Sequence, residues 1–247
     1  MTQSNAITRA AKQLLTARRD RTLISGLDDG LAPATLDDAY AVQDAILDQI
    51  GAVGGWKVAP KPDDDPRCSV IPKAWILPTG SEMRLPPGGE VEVETAIVLA
   101  HDLPPNPTEA QVLAAIGTVA LAIEVLGSSF ADRRKQPTLD PIADLQSNAA
   151  VIVAPGIADW RDLDLGALDF ALAQDGVPMI GPQRHAGLSD ALPCLIWLAT
   201  HAAQRGHPLT AGTVIITGAR LGPLPVRAGK VTASSPILGE TSVHFAR

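Results

Sequence analysis

The segment Glu90-Val91-Glu92-Val93-Glu94, followed at once by Thr95-Ala96-Ile97-Val98-Leu99, holds three carboxylates within five residues. Side chains of a strand alternate between its faces, so the three carboxylates share one face and the valines the other. On an exposed face water would screen their repulsion, which is the commoner situation of glutamate. Here the strand runs on into a nearly apolar stretch, a sign of burial, where unpaired carboxylates are costly unless a cation neutralises them. A hard, oxygen-loving divalent cation meets that need. Glu124 offers a further oxygen ligand, because it ends the apolar run Val119-Ala120-Leu121-Ala122-Ile123 and precedes Val125-Leu126. The alternative for Glu124 is a strand-end residue facing water. Lys57, in Gly54-Gly55-Trp56-Lys57-Val58, lies in a short strand introduced by glycines. Beside a bound cation its pKa would fall and make it an acid/base usable near neutral pH; away from one it is a solvated lysine.

Positioning these groups requires a sizeable core. The 247 residues are 46% hydrophobic and 19% charged, with 21 Gly and 21 Pro, a composition ordinary for one large domain or a domain with an appendage. Aromatic residues make up only 3%, so Ala, Val, Leu and Ile must build the core, and platforms for stacking bases are scarce. With 20 basic and 27 acidic residues the net charge is −7, which argues against nucleic-acid and membrane-surface partners. Cys68 and Cys194 are too far apart in sequence for a close-paired zinc site or a disulfide framework, which fits a reducing compartment. Residues 1–21 lack the apolar core of a signal peptide, and no uncharged apolar run reaches the roughly 18 residues of a membrane span. A cytoplasmic protein is expected.

Ile7, Ala11, Leu14 and Leu15 fall on one face of a first helix, and Thr35, Asp37 and Asp38 mark the start of a second. Together they predict a helical arm over residues 1–53. Residues 54–247 read as a β-rich body, with strands at Trp56–Val58, Val91–Leu99, Ala120–Val125, Ala149–Val153, Asp169–Gln174, Thr213–Thr217, Lys230–Ala233 and Ser242–Phe245. Helices interrupt at Glu109–Ile116 and Leu192–Ala203, and Lys61–Arg67 reads as a polar, Pro-rich loop. The expected class is α+β, with a mainly β body.

Several segments carry a family resemblance. Asp38-Ala39-Tyr40-Ala41-Val42-Gln43 is similar to a D-A-Y-x-V-Q pattern, Gly55-Trp56-Lys57-Val58 to G-[WY]-K-[IV], and Glu92 to Leu99 to E-x-E-[IL]-A-[FV]-V-L. Ala122-Ile123-Glu124-Val125 is similar to A-[IL]-E-[IV], Ile142-Ala143-Asp144 with Ser147 to I-A-D-N-x-S, and Trp197-Leu198-Ala199 to a W-L-A helix. Pro208 to Gly218 matches P-L-x-A-G-D-[IV]-I-L-T-G most closely. In this order and spacing the chain resembles the fumarylacetoacetate hydrolase superfamily, in its 2-oxopent-4-enoate hydratase and 4-oxalocrotonate decarboxylase branch, over nearly its whole length.

The resemblance implies a β-rich fold around Mg²⁺ or Mn²⁺ held by Glu92, Glu94 and Glu124, with Glu90 outside the ligand set. It further implies Lys57 as the proton-transfer residue, Asp144 and Ser147 as substrate-binding residues, and a homo-oligomer. The implied substrate is a short 2-oxo or 2-hydroxydienoic acid, with hydration favoured over decarboxylation. A carbon–carbon hydrolase of diketo acids would want a His-Glu pair that none of the five histidines supplies in a recognisable motif. A binding subunit without catalysis is the alternative of a different class. The chain departs from the branch at Ile71-Pro72-Lys73-Ala74-Trp75-Ile76-Leu77, where hydratases read x-Q-P-D-[FY]-G-x-L. Lys73 thus stands in place of an acid. Either the local charge is reversed and hydration suffers, or the alignment shifts and Lys73 sits in a solvated loop.

Overall fold

The computed structural model describes residues 2–61 and 64–246. Two helices lead the chain, α1 (Gln3–Asp20) and α2 (Leu36–Ile50). α1 buries Ala10, Ala11, Leu14 and Ala17, which share one face at helical spacing. α2 starts at a capping box: the Thr35 hydroxyl accepts from the Asp38 N–H at 3.1 Å, and the Asp38 carboxylate accepts from the Thr35 N–H at 3.0 Å.

Strands begin at Val53. They are β1 (Val53–Lys61), β2 (Asp64–Pro72), β3 (Ile76–Pro78), β4 (Ser81–Arg84), β5 (Glu90–Leu99), β6 (Ile116–Leu126), β7 (Asn148–Val153), β8 (Ala171–Gln174), β9 (Val177–Met179), β10 (Val214–Pro225), β11 (Gly229–Ser235) and β12 (Gly239–Ala246). Helices α3 (Glu109–Ala115), α4 (Leu139–Ala143) and α5 (Leu188–Gln204) lie between them. Seven strands form one sheet in the order β2-β1-β10-β5-β6-β7-β3, and five form a second in the order β4-β12-β11-β8-β9. The protein is therefore α+β, as expected.

Alternation along β5 divides the large sheet into two environments. Val91, Val93 and Ile97 enter the main core with Leu121, Ile123, Val231, Val243 and Phe245, which joins the two sheets to helix residues Leu14, Ile46 and Leu195. On the opposite face a smaller cluster unites Ile71, Ala96, Ala120, Ala122, Val151, Val214 and Ile216. The cluster runs across the sheet from edge strand β2 to β7, and the turn Lys73–Trp75 leads the chain from one edge strand, β2, to the other, β3. A Cβ on Gly55 would stand 2.3 Å from the Val214 carbonyl oxygen, so only glycine lets β1 lie against β10 here.

Strands β3, β4 and β9 and helix α4 go beyond the expected elements, and two further differences have a local physical cause. The segment expected as a loop over 61–67 is instead strand on both sides of residues 62 and 63, which lie outside the described residues. Pairing of Ala59 with Arg67 and of Lys61 with Asp64 outweighs the poor strand propensity of Pro and Asp. Helix α5 starts at Leu188, not Leu192, because the Asp190 carboxylate accepts from the Gly187 N–H at 2.7 Å and caps a turn upstream of Pro193.

Candidate metal and acid–base site

Register brings the carboxylates together. Glu92 on β5 lies directly opposite Glu124 on β6, and Glu94 opposite Ala122, so all three side chains emerge side by side on one face of the sheet. One carboxylate oxygen from each lies within 4.8 Å of the others. Glu94 and Glu124 are fully buried, at 0% exposure, while the Glu92 side chain keeps 13%.

The neighbouring strands complete the site. β1 delivers Lys57, whose Nζ lies 2.7 Å from Glu124 Oε2 and 3.8 Å from Glu92 Oε2. From the start of β7, Asn148 Nδ2 donates to Glu124 Oε1 at 2.8 Å. On β10 the Gly218 N–H donates to Glu94 Oε2 at 2.7 Å, at a point where φ of +102° requires glycine. Glu94 Oε1 has no hydrogen-bond partner.

Charge at the site is unbalanced. Burial, reinforced by Glu124, raises the Glu94 carboxyl well above the usual range. Burial also pushes Glu92 up to about 7, against the pull of Lys57. Burial opposes the Lys57 charge as well, but the fields of Glu124, Glu92 and Glu94 outweigh it and hold the ammonium above its ordinary value. Sequence reasoning anticipates a depressed Lys57 beside a cation; with the carboxylates unneutralised, the direction is the opposite. Three carboxylates against one amine, with a buried carboxylate oxygen lacking any partner, suit a hard divalent cation with oxygen preference.

Asp144 is fully buried, but its carboxylate is engaged by Arg18, Ser128 and Ser129. Ser147 is buried in the same turn, its N–H donating to the Asp144 carbonyl at 2.9 Å. That turn places the next residue, Asn148, against Glu124. Glu90 lies at the outer end of the carboxylate row, paired with Arg133 and Arg134. Lys73 is exposed beside Gly54 and Thr210–Val214, level with the far end of β5. Sequence reasoning misses Asn148 and the Gly218 N–H, although each adjoins or ends a segment that carries the family resemblance.

No family model matches the chain. It is 30% identical over 242 residues to the 2-keto-4-pentenoate hydratase of Paraburkholderia xenovorans, covering 90% of this chain and 88% of that one. Over 159 residues, 60% of this chain and 61% of the other, it is 31% identical to a 4-oxalocrotonate decarboxylase from a Pseudomonas species. A solved 4-oxalocrotonate decarboxylase from Pseudomonas putida, complexed with magnesium and adipate, superposes with a TM-score of 0.85 at 24% identity, over 100% of this chain and 99% of that one. With its fold shared and its sequence related along nearly its whole length, the chain belongs to the 2-keto-4-pentenoate hydratase and 4-oxalocrotonate decarboxylase branch of the fumarylacetoacetate hydrolase superfamily.

Proposed function

We propose that this protein is a metal-dependent lyase that hydrates a short 2-hydroxydienoic acid through its 2-oxo tautomer. Glu92, Glu94 and Glu124 would hold Mg²⁺ or Mn²⁺. The observation that carries the proposal is the unpartnered Oε1 of buried Glu94, within one cluster with Glu92 and Glu124. A cation held there supplies Lewis acidity toward the carboxylate and 2-oxo oxygens of the acid and stabilises negative charge as it develops. Lys57 Nζ, the amine of the site, carries the proton between oxygen and carbon as the dienol becomes the ketone. Asn148 and the Gly218 N–H fix the carboxylates of Glu124 and Glu94, so those side chains need not reorganise during turnover. Asp144 and Ser147 support substrate binding by shaping the turn that presents Asn148.

Decarboxylation of a 4-oxalocrotonate-type acid is the second reading, supported by the 31% identity over 159 residues to a 4-oxalocrotonate decarboxylase and by the fold shared with one. Purified protein with Mg²⁺, assayed against a panel of 2-hydroxydienoates for loss of the conjugated chromophore and for CO₂ release, separates the two. Silence across the panel with metal bound would turn the reading toward a binding subunit.

A homo-oligomer in the cytoplasm completes the proposal. Ile180 and Val177, 91% and 63% exposed at edge strand β9, support self-association, and the two free, buried cysteines support a reducing compartment. Sedimentation of the purified protein tests the first point; a monomer at micromolar concentration overturns it.

A further inference from the structure

Arg220 follows Ala219, the residue that pairs with Glu94 across β10 and β5, and is only 4% exposed. Its Nη1 donates to the Gly218 carbonyl at 2.7 Å and its Nη2 to Thr217 Oγ1 at 3.2 Å. Its Nε has no hydrogen-bond partner. Among the described residues, no carboxylate forms an ion pair with it. Such a group is expensive to bury, since a guanidinium out of water needs compensation that an apolar residue of similar volume would not. Burial indeed works against its charge, and the fields of Glu94 and Asp190 oppose that effect.

The turn that Arg220 grips is the one that touches Glu94. Pairing between β10 and β5 is interrupted between Ile216 and Ala219, so the regular ladder does not fix Thr217 and Gly218. Gly218 holds a φ of +102° and sends its N–H to Glu94 Oε2 at 2.7 Å. Thr217 Oγ1 reaches back toward the Thr95 carbonyl at 3.5 Å. One guanidinium thus ties the hydroxyl of Thr217 to the carbonyl of Gly218, on either side of the peptide whose N–H takes one oxygen of Glu94.

We infer that Arg220 is a positioning residue for the cation site: its fork locks the Thr217–Gly218 turn, so that the Gly218 N–H holds Oε2 of Glu94 and leaves Oε1 free as a ligand. The inference rests on the reading of Glu92, Glu94 and Glu124 as ligands. It assigns the effect to the shape of the guanidinium and not to its charge. The two differ in sign, because a bare positive charge near a divalent-cation site repels the ion, whereas a group that orients a ligand strengthens binding.

Calorimetric titration of the full-length protein with Mn²⁺, together with the electron paramagnetic resonance spectrum of the bound ion, tests this. Arg220→Met and Arg220→Lys should each bind Mn²⁺ about 10-fold more weakly, the usual scale for loss of an outer-shell partner, with an altered spectrum. Thr217→Val, which keeps the arginine but removes one acceptor, should weaken binding in the same direction. Should Arg220→Met fail to fold by circular dichroism, Arg220→Lys and Thr217→Val decide by the same criterion. Affinity unchanged or tightened in the folded variants, with the wild-type spectrum, overturns the role of Arg220 alone. A wild-type protein that binds no Mn²⁺ overturns the ligand assignment and this inference with it.

Discussion

Lys57 Nζ lies 2.7 Å from Glu124 Oε2, so the amine of the site is paired with a carboxylate that a cation would also engage. In the metal-free protein, Lys57 is the compensating charge for the glutamate cluster. Lys57→Ala should therefore behave differently with and without metal. In chelator the variant should lose about 3–5 kcal/mol of stability, the scale for stripping one partner from a buried ion pair, and saturating Mg²⁺ should restore most of it. With Mg²⁺ bound, turnover should fall by about 10² or more, as for a positioned acid or base. Urea denaturation in the two states, beside a steady-state assay, checks both. Equal stability losses with and without metal, or full activity, would reduce Lys57 to a structural lysine.

Asp144 discriminates between a ligand for substrate and a strut. Arg18 Nη2 lies 2.8 Å from its Oδ1, and both Ser128 and Ser129 donate to the carboxylate, which joins α1 to the turn before β7. Asp144→Ala strips the half-buried Arg18 guanidinium of its carboxylate, leaving it only backbone acceptors, and should cost about 3 kcal/mol, the lower end of the scale for breaking a buried pair. The melting temperature would fall, and activity would fail through Asn148, whose backbone carbonyl Arg18 also holds at 2.8 Å. A variant that melts like the wild type but shows a raised KM would instead make Asp144 a direct substrate contact.

What the sequence makes legible is the part with local periodicity. Period two in Glu90 to Glu94 is enough to put the carboxylates on one face, and the Thr35 and Asp38 pattern marks the start of α2. The convergence of β1, β5 and β6 is not local, and only the order of the motifs points to it. Arg18 and Asp144 are 126 residues apart, and neither position carries a signal of the other. The strand over 64–72 is hidden because Asp and Pro disfavour strands, and its partner β1 decides the matter. The Gly218 contact escapes notice because its chemistry belongs to a backbone N–H, which every residue but proline has.

Cys68 provides a pH-dependent test. Burial pushes its thiol up to about 11, and the thiol of Cys194 is raised for the same reason. The folded state therefore favours the protonated thiol. Its contribution to stability is fully present below the ordinary cysteine pKa of about 8.5 and is lost as pH rises through about 11. At pH 9 a thiol reagent should find both cysteines nearly inert in the native protein and reactive after denaturation. Rapid native labelling of Cys68 at that pH would contradict its burial.

Lys73 sets the last prediction, because two readings of one substitution differ by geometry. Its backbone N–H bonds the Ala52 carbonyl at 2.8 Å, and its Cα lies against Gly54, before β1 reaches Lys57. Gly55 pairs with Val214, and Val214 with Val98, so this end of the sheet is level with the last residues of β5. Glu94 stands four residues earlier on β5, about 13 Å along the strand, and Glu92 farther still. The lysine is also exposed, on the rim of a separate cavity lined by Thr210–Val214. A charge reversal at such a distance, screened by water, changes the potential at the carboxylates by little. Lys73→Asp should thus leave the rate of hydration and the preference between hydration and decarboxylation within about 2-fold, the scale of exposed charge effects below 0.5 kcal/mol. Proton transfer then falls to Lys57 and not to a missing acid at position 73. A rise of 10-fold or more in hydration by Lys73→Asp, measured on 2-hydroxypentadienoate with Mg²⁺ saturating, would show that the side chain reaches the substrate and that its replacement of an acid restrains the wild-type reaction.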